Sequence, residues 1–282
     1  MKELIQKIKN KLGMGNVELI IFSLACIAFL VGVIMLAGYG IDTIKSKRAS
    51  ESLVEAAVTV TEVKEELPED SEEYDEEPAD ELEAEVATAT EQGSEVPIEV
   101  DFEALFEKNP EIKAWIYSAG TPINTAVPYR DNDLYYLCHS STRESNRYGT
   151  IFIAAQCSPD FSEPNTVLYG HDMQNGTILG TLELYHEQEY FEEHKVMYLL
   201  TPDKNYRVEV VSGYIHTTDN ELYNLPNSRE FTESFVKMTI ASSLFDSGKE
   251  YNPDANYLTF STCSDDFDGA RLALVCELVE LD

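Results

Sequence analysis

Leu19 to Ile41 is a run of 23 residues without a charged side chain. At about 1.5 Å per residue, a helix of that length crosses the hydrocarbon core of a bilayer. It is too long for a signal-peptide core, and no small-residue cleavage site follows it, so the sequence predicts an uncleaved signal anchor. Lys2, Lys7, Lys9 and Lys11 precede the run, and Lys45, Lys47 and Arg48 follow it. Four cations against three favour an N-terminus in the cytoplasm and the remainder outside the cell.

The segment beyond the span cannot build a core. From Glu62 to Glu85, 14 of 24 residues are acidic and only Lys64 is basic. Such a stretch repels itself and buries almost nothing, and Pro68 and Pro78 oppose a continuous helix. It reads as a solvated spacer, or as one that also stands off from anionic wall polymers and lipid head groups. The expected organisation is a cytoplasmic tail over 1–18, a transmembrane anchor over 19–41, an acidic disordered linker over 42–100 and one globular domain over 101–282. That domain carries 30 acidic and 12 basic side chains, a net charge of −18, which argues against nucleic acid as a partner.

Within the domain, Asp101 to Lys108 has Phe102, Leu105 and Phe106 at helical spacing behind an Asp N-cap candidate. Glu111 to Ile116, with Ile112, Trp115 and Ile116 on one face, also reads as helix. From there the texture is β: Thr150–Ala154, Thr166–Tyr169, Val196–Leu200, Tyr206–His216, Tyr257–Ser261 and Arg271–Leu281 are rich in branched and aromatic residues, with turn residues between them. Short strands with mostly short connections predict a closed β-barrel or a sandwich. The long connection before Tyr257 contains a helix-like stretch, Arg229 to Phe245. It reads equally well as a groove wall and as a cover for the barrel.

The chemistry concentrates at the ends of strands. Tyr257-Leu258-Thr259-Phe260-Ser261-Thr262-Cys263 is an apolar run ending in a cysteine, and Arg271 stands eight residues later. A thiol becomes a nucleophile when its surroundings favour the thiolate or prepare the electrophile, and a guanidinium can do either. About ninety residues upstream, Val167-Leu168-Tyr169-Gly170-His171 places a histidine where a strand gives way to a loop. The bland alternatives are a disulfide through Cys263, a surface histidine and a solvent-facing arginine worth little as an ion pair. Five cysteines are present, without a C-x-x-C pair or a Cys/His metal spacing, so no zinc site is expected.

These residues carry a specific resemblance. Thr259-Phe260-Ser261-Thr262-Cys263 with Arg271, and Leu168-Tyr169-Gly170-His171, resemble a sortase. The whole run from about Asp101 to Asp282 is similar to class B sortases. Asn109-Pro110-Glu111, Trp115-Ile116, Asp131-Asn132-Asp133, Tyr135-Tyr136-Leu137, Gly149-Thr150-Ile151-Phe152, Asn165 through Gly180, Tyr190-Phe191 and His194 add to it. Phe260 stands where Leu is commoner, Lys113-Ala114 where Val-Gly is commoner, and the Cys263–Arg271 spacing is short for the class.

The resemblance implies a mainly β fold: a closed sortase-type barrel of about eight strands, N-terminal helices, and a helix before the cysteine strand. It implies a cysteine transpeptidase in which Cys263 attacks the Thr carbonyl of a C-terminal sorting signal. Arg271 then stabilises the oxyanion, and His171 serves as acid and then as base. Ser261 and Thr262 contact substrate. The implied partners are surface proteins bearing the signal and an amine on a peptidoglycan precursor or a pilin. No metal or organic cofactor is needed. A pilus-assembling sortase, a cysteine endopeptidase using water and a membrane-tethered β-barrel binding module are the alternatives.

Overall fold

The structure, a computed structural model, describes residues 16–60, 96–217 and 228–281. The acidic run Glu62–Glu85 and most of the expected tail lie outside the described residues. The chain divides into two compact units, Met1–Lys47 and Arg48–Asp282. Helix α1 is Asn16–Ala57, and within it Ile20–Gly38 is long and apolar enough to cross a membrane.

The second unit is built on an eight-stranded sheet. Two short strands come first, β1 (Val58–Val60) and β2 (Ile98–Val100), and they pair antiparallel. Helix α2 (Phe102–Lys108) follows, capped by the Asp101 carboxylate, which accepts from Ala104 N. The sheet contains β3 (Ile112–Tyr117), β4 (Asn124–Pro128), β5 (Phe152–Ile153), β6 (Asn165–Tyr169), β7 (Val196–Leu200), β8 (Asn205–Thr217), β9 (Asn256–Cys263) and β10 (Ala270–Leu281). Between them lie α3 (Asp133–Tyr136), a 3-10 helix (Gly180–His186), α4 (Gln188–Glu193) and α5 (Arg229–Ala241). The strand order is β4-β3-β7-β8-β10-β9-β6-β5, and a bridge between Tyr129 and Ile153 nearly closes the ring. All neighbours pair antiparallel except β6 and β9, which run parallel. The expected β-barrel of about eight strands is the observed architecture.

Alternation along the strands sorts side chains between an interior and an outer layer. Leu258 and Phe260 of β9, and Leu272, Leu274, Cys276 and Leu278 of β10, fill the interior. Their neighbours Tyr257, Ala273 and Val275 face outward, where Phe235 and Val236 of α5 cover them. The α5 helix starts on the Ser228 hydroxyl, which accepts from Phe231 N. It covers the barrel, one of the two roles that the sequence leaves open to it.

Two local expectations change. Glu111 to Ile116 is not helical: Ile112–Tyr117 is strand β3, paired with both β4 and β7. Ala114 and Ile116 enter the barrel interior, while Ile112 and Trp115 pack in an outer cluster. A strand buried on both faces loses the two-residue alternation, and six residues are too few to reveal its period. Strand β4 carries little apolar signal and has no counterpart among the expected strands. In addition, both ends of the expected linker carry structure. Leu53 and Ala57, at the C-terminal end of α1, are buried in the outer cluster with Ile98, Leu105 and Trp115, and Asp101 N donates to Ala57 O. Burial of a few apolar side chains offsets the ordering of so short a segment. Replacing Leu53, which is 1% exposed, by Ala should lower the unfolding free energy by about 2–5 kcal/mol. Denaturant titration of the chain checks this, and an unchanged midpoint would mean that the end of α1 does not dock.

Candidate active site

Strand register assembles the site. Arg271 of β10 lies directly opposite Cys263 of β9. Directly opposed residues on antiparallel strands share a face, with Cβ atoms roughly 4.5–5.5 Å apart. Both occupy the outward face in the alternation, the same face that carries Ala273 and Val275 beneath α5. The helix thus stands farther along the face that presents the cysteine and the arginine. Of the two readings of the Arg229–Phe245 segment, the packing of Phe235 and Val236 on Tyr257, Ala273 and Val275 is that of a cover.

The loop joining the two strands is short and internally bonded. Ser264 N donates to Ala270 O, Ala270 N donates to Phe267 O, and Gly269 adopts φ +81°. The Ser264 hydroxyl donates to Asp266 Oδ2 at 2.5 Å, and His186 Nε2 of the 3-10 helix lies 3.2 Å from the same oxygen. Glu183, His186 and Asp266 bring metal-ligand atoms within 4.8 Å of one another. The His186–Asp266 contact ties the loop after Cys263 to the 3-10 helix.

His171 arrives from the parallel side. Tyr169 is in register with Ser261, so the chain leaves β6 beside the end of β9. Thr262 Oγ1 donates to Gly170 O at 2.8 Å and fastens the two chains there. A Cβ on Gly170 would lie 2.9 Å from Leu179 Cγ, so the turn closes against Leu179 only because position 170 has no side chain. The half-buried His171 ring places Nε2 3.0 Å from Leu137 O. A carbonyl only accepts, so Nε2 carries the proton, and in the neutral ring Nδ1 holds the lone pair.

The electrostatics are those of one local cation in an acidic setting. Arg271 Nη1 donates to Ala270 O at 2.9 Å, and Arg271 makes no ion pair among the described residues. Opposite it on β8 is buried His216, a residue whose sequence context carries no partner motif. Burial, aided by the Arg271 charge, holds the His216 pKa below its ordinary value, so it adds no second charge near neutral pH. An open groove of about 590 Å³ adjoins the site, lined in part by Asp172, Glu183, Tyr190, Glu193, His194 and Asp265.

The cysteines separate cleanly. All five are free thiols, and Cys263 is exposed whereas Cys157 and Cys276 are buried. Burial pushes the Cys157 thiol up to about 11 and the Cys276 thiol higher still, so neither ionises near neutral pH. Cys138 is also exposed, but in the loop after α3. Ser261 and Thr262, 2% and 3% exposed, sit in the wall beside Cys263, and the Thr262 hydroxyl serves the Gly170 contact. The structure therefore brings Cys263, Arg271 and His171 to one end of three adjacent strands. The Leu137 carbonyl has no forewarning in the sequence, because a backbone acceptor leaves no residue-type signal.

Asp172 gives a test of this environment. Burial, then the charges of Glu183 and Asp265, raise its pKa to about 6. With the folded value above the unfolded one, the fold favours the protonated acid, and stability falls as pH rises through about 6. Asp172→Asn should raise the melting temperature at about pH 8 and change it far less at about pH 4, measured by thermal scans. An equal shift at both pH values would contradict the raised pKa.

No family model matches the chain. Sortase B of Staphylococcus aureus is 28% identical to it over 188 residues, covering 65% of this chain and 77% of that protein. Sortase B of Listeria monocytogenes is 28% identical over 180 residues, covering 61% and 71%. Among solved structures, Clostridium perfringens sortase B aligns with a TM-score of 0.59 at 26% identity, over 64% of this chain and 100% of that one. Bacillus anthracis sortase B aligns at 0.59 and 29% identity, over 72% and 96%.

Proposed function

We propose, from the premise that this chain is a class B sortase and a cysteine transpeptidase by fold and sequence likeness, that it joins signal-bearing proteins to an amine outside the cell. The observation that carries the reading is the cross-strand pair Cys263–Arg271, with His171 delivered beside it by the parallel neighbour strand.

In the first half-reaction the Cys263 thiolate attacks the Thr carbonyl carbon of a C-terminal sorting signal of the Asn-Pro-x-Thr type or a related one. A C–S bond forms, and the carbonyl electron pair moves to oxygen. The Arg271 guanidinium, permanently charged and planar, donates to that oxyanion. Collapse breaks the C–N bond, and His171 gives a proton to the departing amine, leaving a thioester. In the second half-reaction an acceptor amine attacks the thioester, His171 takes its proton, and the C–S bond breaks to return the thiolate. Ser261 and Thr262, expected from the sequence to contact substrate, are almost wholly buried and act instead through the placement of the strand end that carries Cys263.

Support for an amine acceptor comes from solved structures of sortase B, one complexed with a glycine tripeptide and one, from Staphylococcus aureus, with a substrate. The acceptor here is an amine of a peptidoglycan precursor, and a pilin amine would use the same steps. The apolar stretch Ile20–Gly38 serves as a single-pass anchor with the N-terminus in the cytoplasm. The acidic run lies between β1 and β2, which pair with each other, so it does not link the anchor to the catalytic unit and the expected spacer role falls away.

A peptide panel with and without an added amine, read by mass spectrometry, tests the reading: amine-dependent ligation products are expected after Thr. Cleavage to the free acid alone, at a rate indifferent to amine, would make the protein an endopeptidase. Cys263→Ala should abolish turnover, whereas Cys157→Ala should leave chemistry intact. Arg271→Lys should lower kcat on the order of 10²-fold or more, as expected when an oxyanion donor is lost. If the Arg271→Lys enzyme runs near the wild-type rate, Arg271 does not belong to the oxyanion site.

A further inference from the structure

We propose that Glu111, Arg130 and Tyr136 form a brace that sets the orientation and tautomer of His171 through the Leu137 carbonyl, which makes them positioning residues. The functional meaning of the brace rests on His171 being the acid and base assigned above. Its geometry does not.

The brace begins at the start of β3. Arg130 forks onto the Glu111 carboxylate, with Nε 3.0 Å from Oε1 and Nη2 2.6 Å from Oε1. Glu111 Oε2 accepts from the Tyr136 hydroxyl at 2.5 Å, and that hydroxyl accepts from Asn109 Nδ2 at 2.9 Å. Burial opposes the Glu111 charge, but the hydrogen bonds from Arg130 and Tyr136 outweigh it and hold the carboxyl below its ordinary range. Tyr136 is wholly buried and immediately precedes Leu137.

Both sides of this turn are held. The Arg130 guanidinium lies 3.6 Å over the Tyr135 ring, and that ring stacks on His139 at 4.0 Å. Behind it, Thr150 N donates to Tyr136 O at 3.1 Å. Gly149, at φ +62°, comes so close that a Cβ there would lie 2.4 Å from Tyr136 O and 2.8 Å from Leu137 O. The Leu137 carbonyl therefore points at His171 Nε2 from a position fixed on three sides.

An apolar plug would anchor α3 without burying part of a carboxylate. What the polar chain adds is direction: a carbonyl held at one angle admits only the Nε2–H tautomer and leaves Nδ1 for proton exchange. A loosened carbonyl would let the ring rotate and populate both tautomers.

The test uses Tyr136→Phe, which keeps the ring, and Arg130→Lys, at a partly exposed side chain, in case the first variant does not fold. Nitrogen-15 NMR of the imidazoles should find His171 as the Nε2–H tautomer in the wild type and a mixture in either variant. The pH dependence of kcat should shift with it. The kcat itself should fall about ten-fold, part of the roughly 10²–10⁴-fold range of general acid–base catalysis, with peptide KM unchanged within about two-fold. An unchanged tautomer ratio in a folded variant overturns the brace whatever the peptide assay gives. If peptides are not ligated at all, the functional reading fails while the NMR comparison still decides the brace.

Discussion

Strand β9 pairs parallel with β6 on one side and antiparallel with β10 on the other, and the meeting of Cys263, Arg271 and His171 depends on that double register. Because side chains alternate, a slip of one residue would turn Thr262 outward and Cys263 into the wall. The interior positions Leu258 and Phe260 and the outward Tyr257 are each buried against a different layer. A slip would drive Tyr257 into the barrel and Phe260 out of it, so the packing of both layers resists it. The Thr262–Gly170 bond adds a polar lock at the last turn before the site. Core packing and active-site geometry are thus one constraint, expressed at two ends of a strand.

The same hairpin shows how one cation acts in an acidic protein. Between Lys249 and the C-terminus Arg271 is the sole basic residue, among Glu250, Asp254, Asp265, Asp266, Asp268, Glu277, Glu280 and Asp282. A free guanidinium there would be drawn to the nearest carboxylate. Asp266 is instead occupied by Ser264 and His186, while Arg271 donates to the Ala270 carbonyl. The short loop therefore separates the charges, holding acid away from the face on which Cys263 and Arg271 stand. Opposite charges close together in a partly desolvated site attract far more strongly than they do in water, so this separation leaves the Arg271 guanidinium outside the ion pairs of the described residues.

Much of this is legible in the sequence, for physical reasons that can be named. Strands β6 to β10 have enough branched and aromatic residues, with punctuated ends, to be recognised, and Cys263, His171 and Arg271 stand at those ends. Strand β3 mimics a helix because burial on both faces erases its alternation, and β4 is silent because five residues with Asn, Thr and Pro carry no periodic signal. The docked end of α1 is hidden by its neighbourhood: Leu53 and Ala57 lie close to a strongly acidic run, and composition averaged over a window outweighs two buried side chains. The partners of His171 and Arg271 are not readable at all. One is a backbone carbonyl and the other a cross-strand register, and neither has a residue-type signature.

Likeness to a family therefore carries unequal weight for the reaction and for its substrates. The placement of Cys263, Arg271 and His171 follows from strand pairing, which survives wherever the barrel does. The surfaces around them are of another kind: the groove lined by Asp172, Glu183 and Asp265, the tight loop after Cys263 and the flank beside α5. Those surfaces are loops and helix faces, which tolerate change without disturbing the core. The fold thus carries the type of reaction much further than it carries the identity of the substrate. In this chain the short Cys263–Arg271 loop and the carboxylates beside it belong to that variable part and not to the paired strands.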